Sequence, residues 1–218
     1  MPPLGVLGGT FDPVHCGHLR LAEEAREALD LSEVRWIPAG QPPHRQAPHA
    51  AAAHRLEMVR RAVAGNPAFK VDDAETRSAA PSYAVMTLER LRAEAGRHPL
   101  VLLMGADAFL GLATWHRWRD LFALAHLGVA TRPGFALSLE EMPADLAAAC
   151  ADRLGRDPAV LREVPAGRVV EFAMTPLAIS ASLLRERLAA GRTVRYLLPD
   201  PVREYIDQHH LYRMPDGR

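Results

Sequence analysis

Several things are scarce in this chain, and each scarcity narrows what it can be. Lysine is nearly absent: Lys70 is the only one among 26 basic residues, so any cation that meets an anionic ligand has to be an arginine, whose planar fork suits phosphate. Cys16 and Cys150 are the only cysteines, too few for a disulfide framework. The sequence shows neither a basic leader followed by an apolar core nor a run near the roughly 20 apolar residues that cross a bilayer, so a reduced, cytoplasmic protein is expected. Basic and acidic residues number 26 each, and the formal net charge of zero argues against long nucleic acid or an anionic membrane as partner. There is no internal repeat and no low-complexity segment.

What is there fits one well-cored domain spanning residues 1–218, since 218 residues at 49% hydrophobic and 24% charged is an ordinary soluble balance. Short apolar runs at 3–7, 34–37, 69–71, 100–104, 127–130 and 169–172 read as strands. Segments 19–29, 51–64 and 82–95 carry apolar residues at helical spacing between them. The run at 100–104 is apolar without alternation, as a parallel strand covered on both faces requires. The expectation is therefore an α/β, doubly wound, mostly parallel sheet with ligands beyond the carboxyl ends of its strands. The acidic, alanine-rich stretch 139–161 is expected to be helical, an insertion near 138–162, and a helical tail near 199–212 is assigned to packing.

The junction of the first strand and first helix carries Gly8-Gly9-Thr10-Phe11-Asp12-Pro13-Val14-His15-Cys16-Gly17-His18. Gly8 and Gly9 clear the way for backbone N–H groups to approach an anion, and the helix start behind them adds free donors and a favourable dipole. His15 and His18 stand three apart at that helix start, so both can face one point above the turn, with Gly17 leaving room for a ligand. Either feature alone is common on protein surfaces, and the combination is what carries information. A zinc site on His15, Cys16 and His18 falls short of the ligands a closed site needs, and no metal-binding residues are assigned. Arg45, Arg132 and Arg185 are the candidate cations for phosphate. Near the other end, Ser180, Ser182 and Arg185 open a helix, with the arginine three residues beyond the second serine.

The first segment resembles the GGTFDPxHxGH signature of the HxGH nucleotidyltransferases, enzymes that join a nucleoside triphosphate to a phosphate-bearing acceptor and release pyrophosphate. Ile179-Ser180-Ala181-Ser182-Leu183-Leu184-Arg185 resembles the ISxTxxR signature that closes those enzymes, with Ser182 where threonine is usual. Three further segments are similar to the bacterial nicotinate-nucleotide adenylyltransferase branch. They are Gly105-Ala106-Asp107-Ala108-Phe109 with Trp115 beyond it, Ser82-Tyr83-Ala84-Val85-Met86-Thr87-Leu88, and Pro42-Pro43-His44-Arg45, in which arginine replaces lysine. Ala84 and Met86 depart from the branch pattern. Together with a tail that matches through Leu211-Tyr212, the resemblance runs from residue 4 to residue 212.

That resemblance implies a Rossmann-like fold and transfer of AMP from ATP, carrying magnesium, to nicotinate mononucleotide. His15, His18 and Arg185 would be catalytic. Gly8, Gly9, Thr10, Arg45, Gly105, Asp107, Ser180 and Ser182 would bind ATP and its phosphates. Ser82, Tyr83, Thr87, Trp115 and Arg132 would bind nicotinate mononucleotide, with Trp115 stacked on its ring. Apart from the resemblance, Gly40 and the Pro42-Pro43 pair make the Gly40 to Ala50 loop a candidate lid over the phosphates. The alternatives are a different acceptor, either nicotinamide mononucleotide or phosphopantetheine, and a non-catalytic nucleotide-binding module.

Overall fold

The computed structural model describes residues 1–43 and 47–213. β1 (Leu4–Gly9) leads through a turn into α1 (Cys16–Ala28), followed by β2 (Glu33–Pro38), α2 (Ala52–Val63), β3 (Phe69–Val71), the short α3 (Ala74–Arg77) and α4 (Ala84–Ala95). The second half runs β4 (Leu100–Gly105), α5 (Ala106–Leu110), α6 (Leu121–Leu124), β5 (His126–Thr131), α7 (Ala144–Cys150), β6 (Leu154–Gly155) and β7 (Val169–Ala173). α8 (Ala181–Ala189) and α9 (Asp200–Gln208) complete the described chain.

The strands form one seven-stranded sheet in the order β3-β2-β1-β4-β5-β7-β6, and every pairing is parallel. The sheet is thus wholly rather than mostly parallel. Its seventh strand, β6, is two residues long, too short to leave a periodic signal. Alternation along each strand sorts the core into two layers. Val101 and Leu103 face α1, α2, α8 and α9, whereas Leu100, Leu102 and Met104 face α4 through α7. Gly5 and Gly128 let the end of α1 seat closely, because a Cβ on either would come within 2.8 Å of Leu31 or Leu29 respectively. Among the described residues, no helix is long and apolar enough to cross a membrane.

The stretch 139–161 departs from the expected helix. It breaks into a 3-10 turn at Leu139–Glu141, the seven-residue α7, the two-residue β6 and a second 3-10 turn at Pro158–Arg162. Pro143 and Pro158 can each open a turn but neither can sit inside a helix, and Leu154–Gly155 is drawn off to pair with β7. Alanine content pointed to helix, and the prolines override it.

From β1 the chain winds to β2 and β3 on one side, then returns to β4 on the other. The direction therefore switches between β1 and β4, where an open parallel sheet leaves a crevice at its carboxyl ends. Gly8 and Gly105 stand at that crevice, and a Cβ on either would meet nothing within 4 Å.

Candidate active site

The turn after β1 is built around two buried groups to which the sequence reading gave no role. Arg55, on α2 and 1% exposed, donates to four carbonyls: Nη1 to Thr10 at 2.7 Å and Ala39 at 2.6 Å, Nη2 to Gly40 at 3.0 Å, and Nε to Ala50 at 3.1 Å. It clasps the loops that leave β1 and β2. Burial lowers its affinity for the proton, partly offset by the charge of Asp12. Asp12 is itself buried and accepts the His49 N–H at 2.8 Å and the Ala50 N–H at 3.1 Å. Between these anchors Phe11 turns at φ 50°, and its ring lies 2.9 Å from where a Cβ on Gly9 would be. Gly9 is therefore glycine for the sake of Phe11.

His15 caps α1 and is buried; His18 lies one turn on. Their rings stack with centroids 3.7 Å apart, and Phe11 meets His18 edge-on at 5.0 Å. The His15 backbone N–H donates to His18 Nδ1 at 3.2 Å, which leaves the ring proton of neutral His18 on Nε2. Burial pushes His15 down to about 4, and burial together with His15 beside it pushes His18 well below the usual imidazole range. Both rings are neutral donors at neutral pH, and His15 Nδ1 is buried without a partner. Gly17 was expected to make room for ligand. Its missing Cβ instead makes room for the His15 ring, whose Nδ1 would lie 3.0 Å away.

Arg185 reaches the same turn from α8. Its Nη1 donates to the Asp12 carbonyl at 2.7 Å, and its Nη2 to Ser182 Oγ at 3.3 Å. Ser180 caps α8, accepting the Leu183 N–H at 3.2 Å. Both serines are exposed. The structure thus gathers Gly8, Gly9, Thr10, His15, His18, Ser182 and Arg185 around one turn. Arg45 lies outside the described residues. The loop carrying it is held on both flanks, by Ser82 at Gly40 and by Asp12 at His49 and Ala50.

The other wall lies beyond α4 and β4. Tyr83 caps α4, and its ring packs on His116 with centroids 4.3 Å apart. Half-buried Trp115 and exposed Asp107 follow β4, and exposed Arg132 follows β5. Two of the residues picked for this wall are engaged inside it. Ser82 Oγ accepts the Gly40 and Gln41 N–H groups at 2.9 and 3.1 Å, while Thr87 is buried and its hydroxyl donates to Glu75. Glu75, on α3, is a third group the sequence did not disclose. Burial raises its carboxyl above the usual range, against the hydroxyls of Thr87 and Ser82 that favour its charge. Asp12 lay inside a quoted motif and could have been singled out as a buried anchor. Arg55, beside an apolar helix stripe, and Glu75 gave no signal.

A family model described as cytidylyltransferase-like matches residues 6–187. The chain is 59% identical to a protein of Dechloromonas aromatica, over 97% of this chain and 98% of that one. It is 51% identical to one of Halorhodospira halophila, over 97% and 96%. Both are named "Probable nicotinate-nucleotide adenylyltransferase". Its fold is similar to that of Plasmodium falciparum nicotinic acid mononucleotide adenylyltransferase complexed with NaAD, at a TM-score of 0.72 and 14% identity, covering 97% of this chain and 98% of that one. A chain so similar along nearly its whole length, with the same doubly wound sheet, belongs to the cytidylyltransferase-like family and, within it, to the nicotinate-nucleotide adenylyltransferases.

Proposed function

We propose that this protein transfers AMP from ATP to the 5′-phosphate of nicotinate mononucleotide, forming nicotinate adenine dinucleotide and pyrophosphate, a step of NAD synthesis. An oxygen of the acceptor phosphate attacks the α-phosphorus in line, and the bond from that phosphorus to the oxygen bridging to the β-phosphate breaks, so pyrophosphate leaves with the electron pair. The acceptor is already ionised at neutral pH, so no general base is needed. The protein's part is to hold two phosphates together and offset the charge that builds up.

The observation that carries this reading is the pair of neutral, stacked imidazoles facing the turn on which Arg185 rests, at the switch point between β1 and β4. His18 Nε2–H is free of its own backbone contact and donates to phosphate oxygens as charge develops. His15 holds the reacting phosphates together with the Gly8 to Thr10 backbone. Arg185 and Arg45 grip the polyphosphate, with Ser180 and Ser182 at the start of α8. Gly105 and Asp107 meet the nucleotide at the end of β4. Trp115, Tyr83 and Arg132 receive the acceptor, while Ser82 and Thr87 brace that wall through Glu75 and the Gly40 turn. Magnesium carried with the ATP would screen the charge of the triphosphate. Among the described residues no group of three or more His, Cys, Asp or Glu gathers to hold a resident metal. A reduced cytoplasm suits the two free cysteines.

The test is pyrophosphate release from ATP and magnesium with nicotinate mononucleotide or nicotinamide mononucleotide supplied separately. Strong preference for the nicotinate form is expected. Equal rates would overturn the acceptor assignment, and ATP binding without release from either would leave a nucleotide-binding module.

A further inference from the structure

The reaction above makes no use of Asp12 or Tyr212, yet the two meet across 200 residues of sequence beneath the catalytic turn. The Tyr212 phenol donates to Asp12 Oδ1 at 2.7 Å. The same oxygen takes the Ala50 N–H at 3.1 Å, and Oδ2 takes the His49 N–H at 2.8 Å. On the other side of this residue, the Asp12 carbonyl accepts from Arg185 Nη1 at 2.7 Å, and Nη1 stands 3.9 Å from Oδ2. The remaining contact of the guanidinium, with Ser182, is longer at 3.3 Å and lies on its own helix. The aim of Arg185 is therefore set mainly from Asp12.

Burial, and Asp12 beside it, hold the Tyr212 phenol above its usual range, so it remains a donor at every working pH. The tail does not need that hydroxyl to stay docked, because α9 is seated through buried Val202, Tyr205 and Ile206.

We infer that Tyr212 is a positioning residue for adenylyl transfer: by fixing the Asp12 side chain it fixes the peptide on whose carbonyl Arg185 rests, and so directs the guanidinium at the triphosphate. The inference rests on the function proposed above, in which Arg185 meets the polyphosphate.

The experiment is a double-mutant cycle on the full chain with Tyr212→Phe, which removes only the hydroxyl, and Arg185→Lys, read by steady-state pyrophosphate release and thermal unfolding. Tyr212→Phe should lower kcat by about tenfold, with KM for nicotinate mononucleotide and the thermal transition close to the parent's. On the Arg185→Lys background the same change should cost less than about twofold, because nothing is left to aim. A kcat within about twofold of the parent's, or a full loss repeated on the Arg185→Lys background, would overturn the inference while leaving the function intact. A collapsed thermal transition in Tyr212→Phe would do the same, by assigning the hydroxyl to the fold. Arg185→Lys turning over like the parent would remove both the polyphosphate role of Arg185 and the inference built on it.

Discussion

The two ends of the sheet are fastened by the same device and differ in what the device holds. At the carboxyl end Arg55 grips the carbonyls of Thr10, Ala39, Gly40 and Ala50. At the amino end Arg92 grips those of Gly96, His98, Leu124 and Pro165. Burial lowers the proton affinity of both guanidiniums. The histidines beside them diverge. Buried His126, at the start of β5, donates through Nε2 to the Val164 carbonyl at 2.9 Å and accepts the Arg168 N–H on Nδ1 at 3.0 Å, so both ring nitrogens are used. His15 is as well buried and keeps Nδ1 unpartnered. The His126 ring is spent on two backbone groups, whereas His15 stacks on His18 at the switch point, where the missing Cβ atoms of Gly8 and Gly105 leave open space.

The largest expected effect tests the shared device. Arg55→Ala strands four carbonyls and, at about 1 kcal/mol or more apiece, should lose roughly 4 kcal/mol in denaturant unfolding, while Arg92→Ala, whose Gly96 carbonyl faces water, strands three and should lose roughly 3 kcal/mol. The milder Arg55→Lys should lower kcat, whereas Arg92→Lys should spare it; equal effects on turnover would erase the contrast between the two ends. Next comes the contrast between the imidazoles. His18→Ala should cut turnover on the order of 10²–10³-fold with little change in thermal transition, because one preorganised donor is lost. His126→Ala should do the reverse, costing about 1–3 kcal/mol of stability through two stranded backbone groups while turnover holds.

The last effect, spread over more than two pH units, is acid sensitivity. The folded chain keeps His15 neutral down to about 4, whereas the unfolded chain takes up the proton near its usual 6.5. Stability should therefore be level above about pH 6.5 and decline as pH falls from there toward 4, by up to about 3 kcal/mol from this ring. His15→Asn should flatten that slope in urea titrations, and an unchanged slope would mean that the ring is not held neutral.

Much of this was legible because it is local. The apolar run at 100–104 became β4, buried on both faces, and Ser180 took the capping role its position suggested. His15 and His18 converge because three residues make nearly one helical turn. What stayed hidden depends on partners far along the chain. Arg55 looks like any helix arginine until four loop carbonyls close round it, and half-buried Glu75 gains its partner only when α4 brings Thr87 to it. Thr87 and Ser82 have hydroxyls suited to a ligand, and only the packed wall shows that those hydroxyls are already engaged. Between 139 and 161, alanine and leucine carry helix propensity while two prolines and a strand-edge pairing break it up, and a tertiary pairing cannot be seen in composition.

The bond between Asp12 and Tyr212 has a consequence in time as well as in space. A ribosome delivers the turn after β1 some 200 residues before Tyr212. At about 5–20 residues per second, the turn spends ten seconds or more without its last brace. The central strand, the imidazoles and the clasp of Arg55 can all form on the nascent chain, but Asp12, on whose carbonyl Arg185 rests, lacks its Tyr212 donor until the tail arrives.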